Sequence, residues 1–222
     1  MRLYLASTSP ARLWLLRNAG IEPVVVPSHV DEPAAVAAAE AERAASGEPS
    51  RLGAAEMVQL LGRAKAEAVA GSAVDEAPID GIVVGCDSAF EIDGVIYGKP
   101  HLADVATERW HGQRGRTGVL HSGHWVIDHR GGTANAAVGA VARASVSFVP
   151  DMTDAEIDAY VASGEPLQVA GAFTIDSLGG AFIEKIDGDP STVVGMSLPT
   201  LRRLVRSLGV EWTELWNRAG AS

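Results

Sequence analysis

Cysteine is nearly absent. Cys86 is the only one in 222 residues, which excludes an internal disulfide, and no Cys/His group has the spacing of a zinc centre. Long apolar runs are missing as well. None approaches the roughly 20 residues of a membrane span, and the first residues, Met1-Arg2-Leu3-Tyr4-Leu5, lack the extended apolar core of a signal peptide, so a reducing, cytoplasmic setting away from membranes is expected. Basic residues are in deficit: 18 Lys and Arg stand against 28 Asp and Glu, a formal charge of −10. A pI of about 5.0 opposes a broad surface for nucleic-acid backbone, and no stable nucleic-acid complex is expected. Neither a GxxxxGK[ST] stretch nor a GxGxxG turn occurs, which removes the usual phosphate-loop and dinucleotide folds. Cations that do gather locally in so acidic a chain need a local reason.

One such gathering lies near the start. Leu3 and Leu5 mark a short apolar strand, and the turn Ser7-Thr8-Ser9-Pro10-Ala11-Arg12 opens a helix: Ser9 suits the N-cap, Pro10 the first position and Gly20 the C′ position. Leu13 and Leu16 give this helix an inward stripe. Hydroxyls, free backbone N–H groups and Arg12 therefore meet at a helix N-terminus, where the macrodipole favours an anion. An ordinary cap with a surface arginine is the alternative.

The length suits one domain with insertions or two small lobes. Pro23 to Val26 reads as a second strand, followed by Asp31-Glu32-Pro33. The Ala/Glu-rich stretch 34–55 breaks at Ser46-Gly47-Glu48-Pro49, which predicts a short solvated helix, a turn and a longer helix to about Ala70. On the longer helix Met57, Leu60, Leu61, Ala64 and Ala68 make the buried stripe, with Lys65 at its flank, either snorkelling or serving as a phosphate ligand. Gly71 to Gly81 reads as a loop.

Ile82-Val83-Val84 runs into Gly85-Cys86-Asp87-Ser88, the pattern of a buried strand with polar residues at its C-terminal end, where α/β sheets concentrate their ligand sites. Phe90-Glu91-Ile92 and Val95-Ile96-Tyr97 flank Asp93-Gly94 as a hairpin with Ile92 facing Val95. That register brings Asp87 near Lys99 along the strands but on opposite faces, so joint work needs a bend that Gly85 and Gly98 would permit. A helix near 103–111, strands at 119–127 and 138–149, a Thr153/Glu156 capping box, strands at 170–175 and 181–186, and a last helix bearing Leu201, Leu204, Val205 and Leu208 complete an α/β pattern. His101, His111, His121, His124 and His129 lack a consistent ligand spacing and read as surface and turn residues. Cys86 reads as a small buried filler rather than a nucleophile.

Ser7, Ser9, Arg12, Glu32, Lys65, Asp87 and Lys99 form a mixture with a chemical logic: cations and N–H groups neutralise a polyphosphate, while carboxylates hold a hard divalent ion and orient water. The stretches Leu5-Ala6-Ser7-Thr8-Ser9-Pro10-Ala11-Arg12, Val30-Asp31-Glu32, Lys65-Ala66, Val84-Gly85-Cys86-Asp87-Ser88, Gly98-Lys99-Pro100, Tyr160-Val161-Ala162-Ser163-Gly164-Glu165-Pro166, Ala170-Gly171-Ala172-Phe173 and Val193-Val194-Gly195-Met196-Ser197-Leu198 occur in the order seen in Maf proteins, and the chain resembles that family over nearly its whole length. The resemblance implies one Maf-like domain over residues 1–222: an α/β fold with an elongated mixed β-sheet, flanking helices and two lobes around a cleft, similar to inosine triphosphate pyrophosphatases.

It implies a nucleoside triphosphate pyrophosphatase that converts ordinary or modified nucleoside triphosphates to the monophosphate and pyrophosphate. A divalent cation, Mg²⁺ or Mn²⁺, assists water attack at the α-phosphorus. On this resemblance Asp87 is catalytic, Glu32 and Asp87 hold the metal, and Ser7, Ser9, Arg12, Lys65 and Lys99 bind the substrate; a homodimer is compatible with it. The family was first linked to septum formation, so a nucleotide-binding regulator of division that needs no turnover is the alternative. Ala11, Cys86, Ser88, Val169 and Asp176 depart from the family's pattern, as does the turn around 112–123, and base preference is left open.

Overall fold

Leu3, Tyr4 and Leu5 are all buried and form the first strand of the computed structural model, which describes residues 1–74 and 77–218. The elements run β1 (Leu3–Leu5), α1 (Pro10–Asn18), β2 (Val24–Val25), α2 (Glu32–Ser46), α3 (Ala54–Ala70), β3 (Ala73–Val74), β4 (Ala77–Pro78), β5 (Ile82–Ile92), β6 (Val95–Tyr97), α4 (Ala103–Gln113), β7 (Thr117–Asp128), β8 (Ala136–Phe148), α5 (Asp154–Ala162), β9 (Ile183–Gly188), α6 (Pro190–Val194) and α7 (Leu198–Ser207). The strands make a mixed sheet in the order β2-β1-β5-β7-β8-β9, with β6 on β5. β1 runs parallel to β2 and β5, whereas β6 and β9 pair antiparallel with β5 and β8. The chain divides into two compact units: Met1–Asp87, Ser122–Ala142 and Gly195–Ser222 in the first, Ser88–His121 and Arg143–Val194 in the second.

In the first unit, local capping works as the sequence requires. Ser9 caps α1 through the Arg12 N–H, with Pro10 in the first turn and Gly20 left-handed at φ +83°. The buried face of α1 is Arg12, Leu15 and Leu16, so the inward stripe is rotated from Leu13, which is only half-buried. Asp31 caps α2 through the Ala34 N–H, and left-handed Gly47 ends it. No α2 residue is buried, as expected of a solvated helix. The 71–81 loop carries the small antiparallel pair β3–β4, with residues 75–76 of that loop outside the described residues.

The second unit is built on aromatic rings. Trp110 meets Phe148 and Tyr160 edge-on at 5.3 Å, and Phe173 meets Phe148 at 5.1 Å and Phe90 at 5.0 Å. Such pairs contribute roughly 0.5–1.5 kcal/mol each beyond the area they bury. The β5–β6 hairpin has the expected register, Ile92 opposite Val95, with Asp93 and Gly94 both at positive φ. The capping box at Thr153 and Glu156 opens α5. Residues 170–175 are not a strand: Ala170–Ala172 is a 3₁₀ turn with Gly171 and Ala172 at positive φ. The cause is tertiary. Trp110 Nε1 donates to the Ala172 carbonyl at 2.8 Å, and Gly171 lies flat on Phe90, where a Cβ would come within 2.7 Å of the ring.

Histidines behave differently from the surface roles expected of them. His121, His124 and His129 are buried, each with a polar group near one ring nitrogen. His129 Nδ1 lies 2.9 Å from the Ile79 carbonyl, His124 Nε2 accepts the Ser197 N–H at 2.8 Å, and His121 Nε2 stands 3.0 Å from Glu91.

Candidate active site

The C-terminal ends of β1 and β5 lie side by side, since Leu5 pairs with Val84 and the Ala6 N–H donates to the Val84 carbonyl at 2.9 Å. The Ser7–Arg12 turn therefore emerges beside Asp87. Ser7 Oγ accepts the Ser9 N–H at 3.2 Å and an Arg12 guanidinium N–H at 3.1 Å, and Arg12 Nε donates to the Gly195 carbonyl at 2.9 Å. Arg12 is buried, so part of its donor set secures this turn to the segment before α7.

Asp87 sits in the same unit, and Lys65 comes down on it from α3. Lys65 Nζ lies 2.7 Å from Asp87 Oδ1 and 2.7 Å from Glu32 Oε1, at the first turn of α2. Burial raises the Asp87 pKa above the ordinary carboxylate range, opposed by the charges of Lys65 and Arg12 and the Lys65 hydrogen bond. Neighbouring Cys86 is wholly buried, and its thiol is pushed up to about 11 by desolvation, which suits a packing role and not a nucleophile.

Lys65 is not at the flank of its helix stripe. The face of α3 turned inward is Val58, Leu61, Gly62, Lys65, Ala66 and Val69, while Met57, Leu60 and Ala64 are half-buried and Ala68 exposed. Glycines cause the rotation. A Cβ on Gly85 would come 2.1 Å from the Gly62 carbonyl oxygen, and one on Gly123 would come 2.2 Å from that of Val58. α3 thus rests backbone-to-backbone on β5 and β7, a close approach that only glycine admits. Helix and strand come near enough for a lysine to reach the strand's carboxylate with its stem buried. Gly62, Gly85 and Gly123 are the positioning residues that sequence reasoning missed in this use; a glycine inside a helix, costly by roughly 1 kcal/mol against alanine, was the available signal.

The structure thus gathers Ser7, Ser9, Arg12, Glu32, Lys65 and Asp87 in the first unit. Lys99 lies in the second, exposed, just beyond β6. Gly85 is used for helix packing, not for the bend expected between Asp87 and Lys99. Among the described residues no group of three or more His, Cys, Asp or Glu side chains is placed to hold a metal. Glu32 and Asp87 nonetheless converge as two hard oxygen donors, a set that fits a divalent ion whose other ligands are phosphate oxygens and water. Among the described residues no helix is long and apolar enough to cross a membrane.

Comparison with known proteins meets this geometry. The family model described as "Maf-like protein" matches residues 2–208, across both units. A nucleoside triphosphate pyrophosphatase of Leifsonia xyli subsp. xyli is 72% identical over 222 residues, covering all of both chains. Proteins of the same name from Cutibacterium acnes and Corynebacterium aurimucosum are 50% and 47% identical, covering 96% and 97% of this chain and 93% and 98% of their own. Similarity of this extent, along essentially the whole length of each relative, establishes that the chain belongs to the Maf family.

Proposed function

We propose that this chain hydrolyses nucleoside triphosphates to the monophosphate and pyrophosphate, in the cytoplasm, with Asp87 as its catalytic base. The observation that carries the reading is the buried Lys65 bridge between Glu32 and Asp87, beside the Ser7–Arg12 helix start, in a chain whose relatives bear the pyrophosphatase name. Asp87 is suited to hold and deprotonate water because burial already raises its proton affinity. Lys65, Arg12, the Ser7 and Ser9 hydroxyls and Lys99 are assigned to the phosphates, where a cation and oriented donors offset charge in ground and transition states alike. Glu32 and Asp87 are the residues that would hold Mg²⁺ or Mn²⁺. Such an ion supplies charge neutralisation at the phosphates and acidifies bound water. The rate then comes mainly from positioning and electrostatics, as phosphoryl transfer demands.

Incubation with a panel of natural and modified nucleoside triphosphates plus Mg²⁺ tests this, with inorganic products separated. Pyrophosphate is expected as the first inorganic product. Stepwise release of orthophosphate would refute attack at the α-phosphorus, and tight nucleotide binding without any product would favour a regulator of division instead.

A further inference from the structure

We propose that the Lys65 ammonium is the resident counter-ion of Glu32 and Asp87, so that a divalent cation is admitted only together with the nucleotide's phosphates. This rests on the pyrophosphatase reading and adds an order of binding to it. The geometry points there first. The one place where the two carboxylates converge already holds a positive charge, 2.7 Å from each. An ammonium has three donors, and two are committed to these oxygens. Lys65 cannot simply swing into solvent, because its side chain is only 9% exposed and its stem lies where α3 meets β5 at Gly62 and Gly85. Glu32 is the exposed partner, 47% exposed at the start of a helix with no buried residue, so it is the one with room to turn away.

Charge points the same way. Lys65 and Arg12, both of which act electrostatically on Asp87, balance the two carboxylates, so the pocket as a whole is neutral. A pocket with no net negative charge, whose carboxylates already face an ammonium, offers a divalent ion little to offset the loss of its hydration shell. A triphosphate changes both conditions. Its oxygens give Lys65 a competing partner and supply the negative charge and the remaining hard ligands that two carboxylates lack. Lys65 therefore guards the carboxylate pair in the empty protein and becomes a phosphate ligand in the filled one.

The test is Mn²⁺ binding to nucleotide-free protein, read by the electron paramagnetic resonance of the free ion. Wild type should bind weakly. Lys65→Met, which keeps the stem and removes the charge, should bind at least about tenfold more tightly, and adding Asp87→Asn to it should return affinity to the wild-type level. Equal Mn²⁺ affinity in wild type and Lys65→Met, or a Lys65→Met gain that survives Asp87→Asn, overturns the inference.

Removing one partner of a buried pair can unfold a chain, so a second measurement uses the wild type itself. The Lys65 ammonium resonance, ¹⁵N-labelled and assigned by its loss in a Lys65 variant or by through-bond correlation, should be unmoved by Mg²⁺ alone and should shift when Mg²⁺ and an α,β-imido triphosphate are added together. A shift with Mg²⁺ alone overturns the proposal. Pyrophosphate release by the same preparation separates the two readings: turnover with a Lys65 signal that Mg²⁺ alone displaces sinks only the counter-ion role, whereas a guarded pair without turnover sinks the pyrophosphatase.

Discussion

Gly85→Ala probes how the site is held without touching a charged group. The added Cβ would stand 2.1 Å from the Gly62 carbonyl oxygen, 2.7 Å from the Ala66 nitrogen and 2.9 Å from the Ala66 Cβ. These are mostly backbone atoms of a helix, which cannot turn aside as a flexible side chain would, so α3 must retreat from β5 by roughly 1 Å or the strand must buckle. Overpacking of this kind costs about 1–3 kcal/mol. At about 2–4 °C per kcal/mol for a chain of this size, the melting temperature should fall by roughly 2–12 °C. The same retreat would stretch the Lys65–Asp87 contact from 2.7 Å to beyond hydrogen-bonding distance. A displacement of about 1 Å at reacting groups costs on the order of 100-fold in rate, so turnover should fall more steeply than stability. Thermal melts followed by circular dichroism and initial rates of pyrophosphate release read the two effects. Gly112→Ala is the control: it lies in α4 with nothing within 4 Å of the added methyl, and should raise stability by about 0.5–1 kcal/mol without changing rate. A Gly85→Ala protein with wild-type melting and turnover would refute the close-approach argument.

Asp87→Asn should fold, since Asn matches the size of Asp and Lys65 keeps Glu32 as a charged partner at 2.7 Å, yet lose about 10²–10⁴-fold in turnover; substantial residual activity would dismiss Asp87 as the base. Cys86, with its thiol pushed up to about 11 by burial, should resist iodoacetamide in the native protein at pH 8 and react only on unfolding, so rapid native alkylation would contradict the packing role. Glu165→Gln should lower the melting temperature. Burial acts to raise the Glu165 pKa, but hydrogen bonds from Thr174, Ser177, the Gly179 N–H and Tyr160 outweigh it and hold the carboxyl at about 2 against an ordinary 4.5. Gln offers a single acceptor oxygen, so the donors that Glu165 shares between Oε1 and Oε2 cannot all be kept, and one lost hydrogen bond costs about 1 kcal/mol. Because the folded pKa is depressed, this stabilisation is complete above pH 4.5 and lost as pH falls toward 2; a variant whose acid unfolding matched wild type between those values would disprove it.

Much of the local structure was legible in the chain itself. Ser9-Pro10, Asp31, Thr153 with Glu156, and the Asp93-Gly94 hairpin specify their caps and register through hydrogen bonds that close within a few residues, so distant chain has little power to override them. The ordered motifs likewise named Glu32 and Lys65, which meet Asp87 in the first unit, along with Lys99, which lies in the second, and the family match confirms the family those motifs indicated. Tertiary structure decided what such short-range signals cannot. Of the apolar stripe that periodicity assigns to α3 only Leu61 is buried, because glycines on two strands, Gly85 and Gly123, let the backbone approach and draw Lys65 into the interior. Residues 170–175 read as a strand until Trp110, some sixty positions away, claims the Ala172 carbonyl. Three histidines lie in the interior beside polar groups distant in the chain: the Ile79 carbonyl, the Ser197 N–H and Glu91. In each case the deciding contact joins segments far apart in sequence, and only the fold brings such segments within a hydrogen bond's reach.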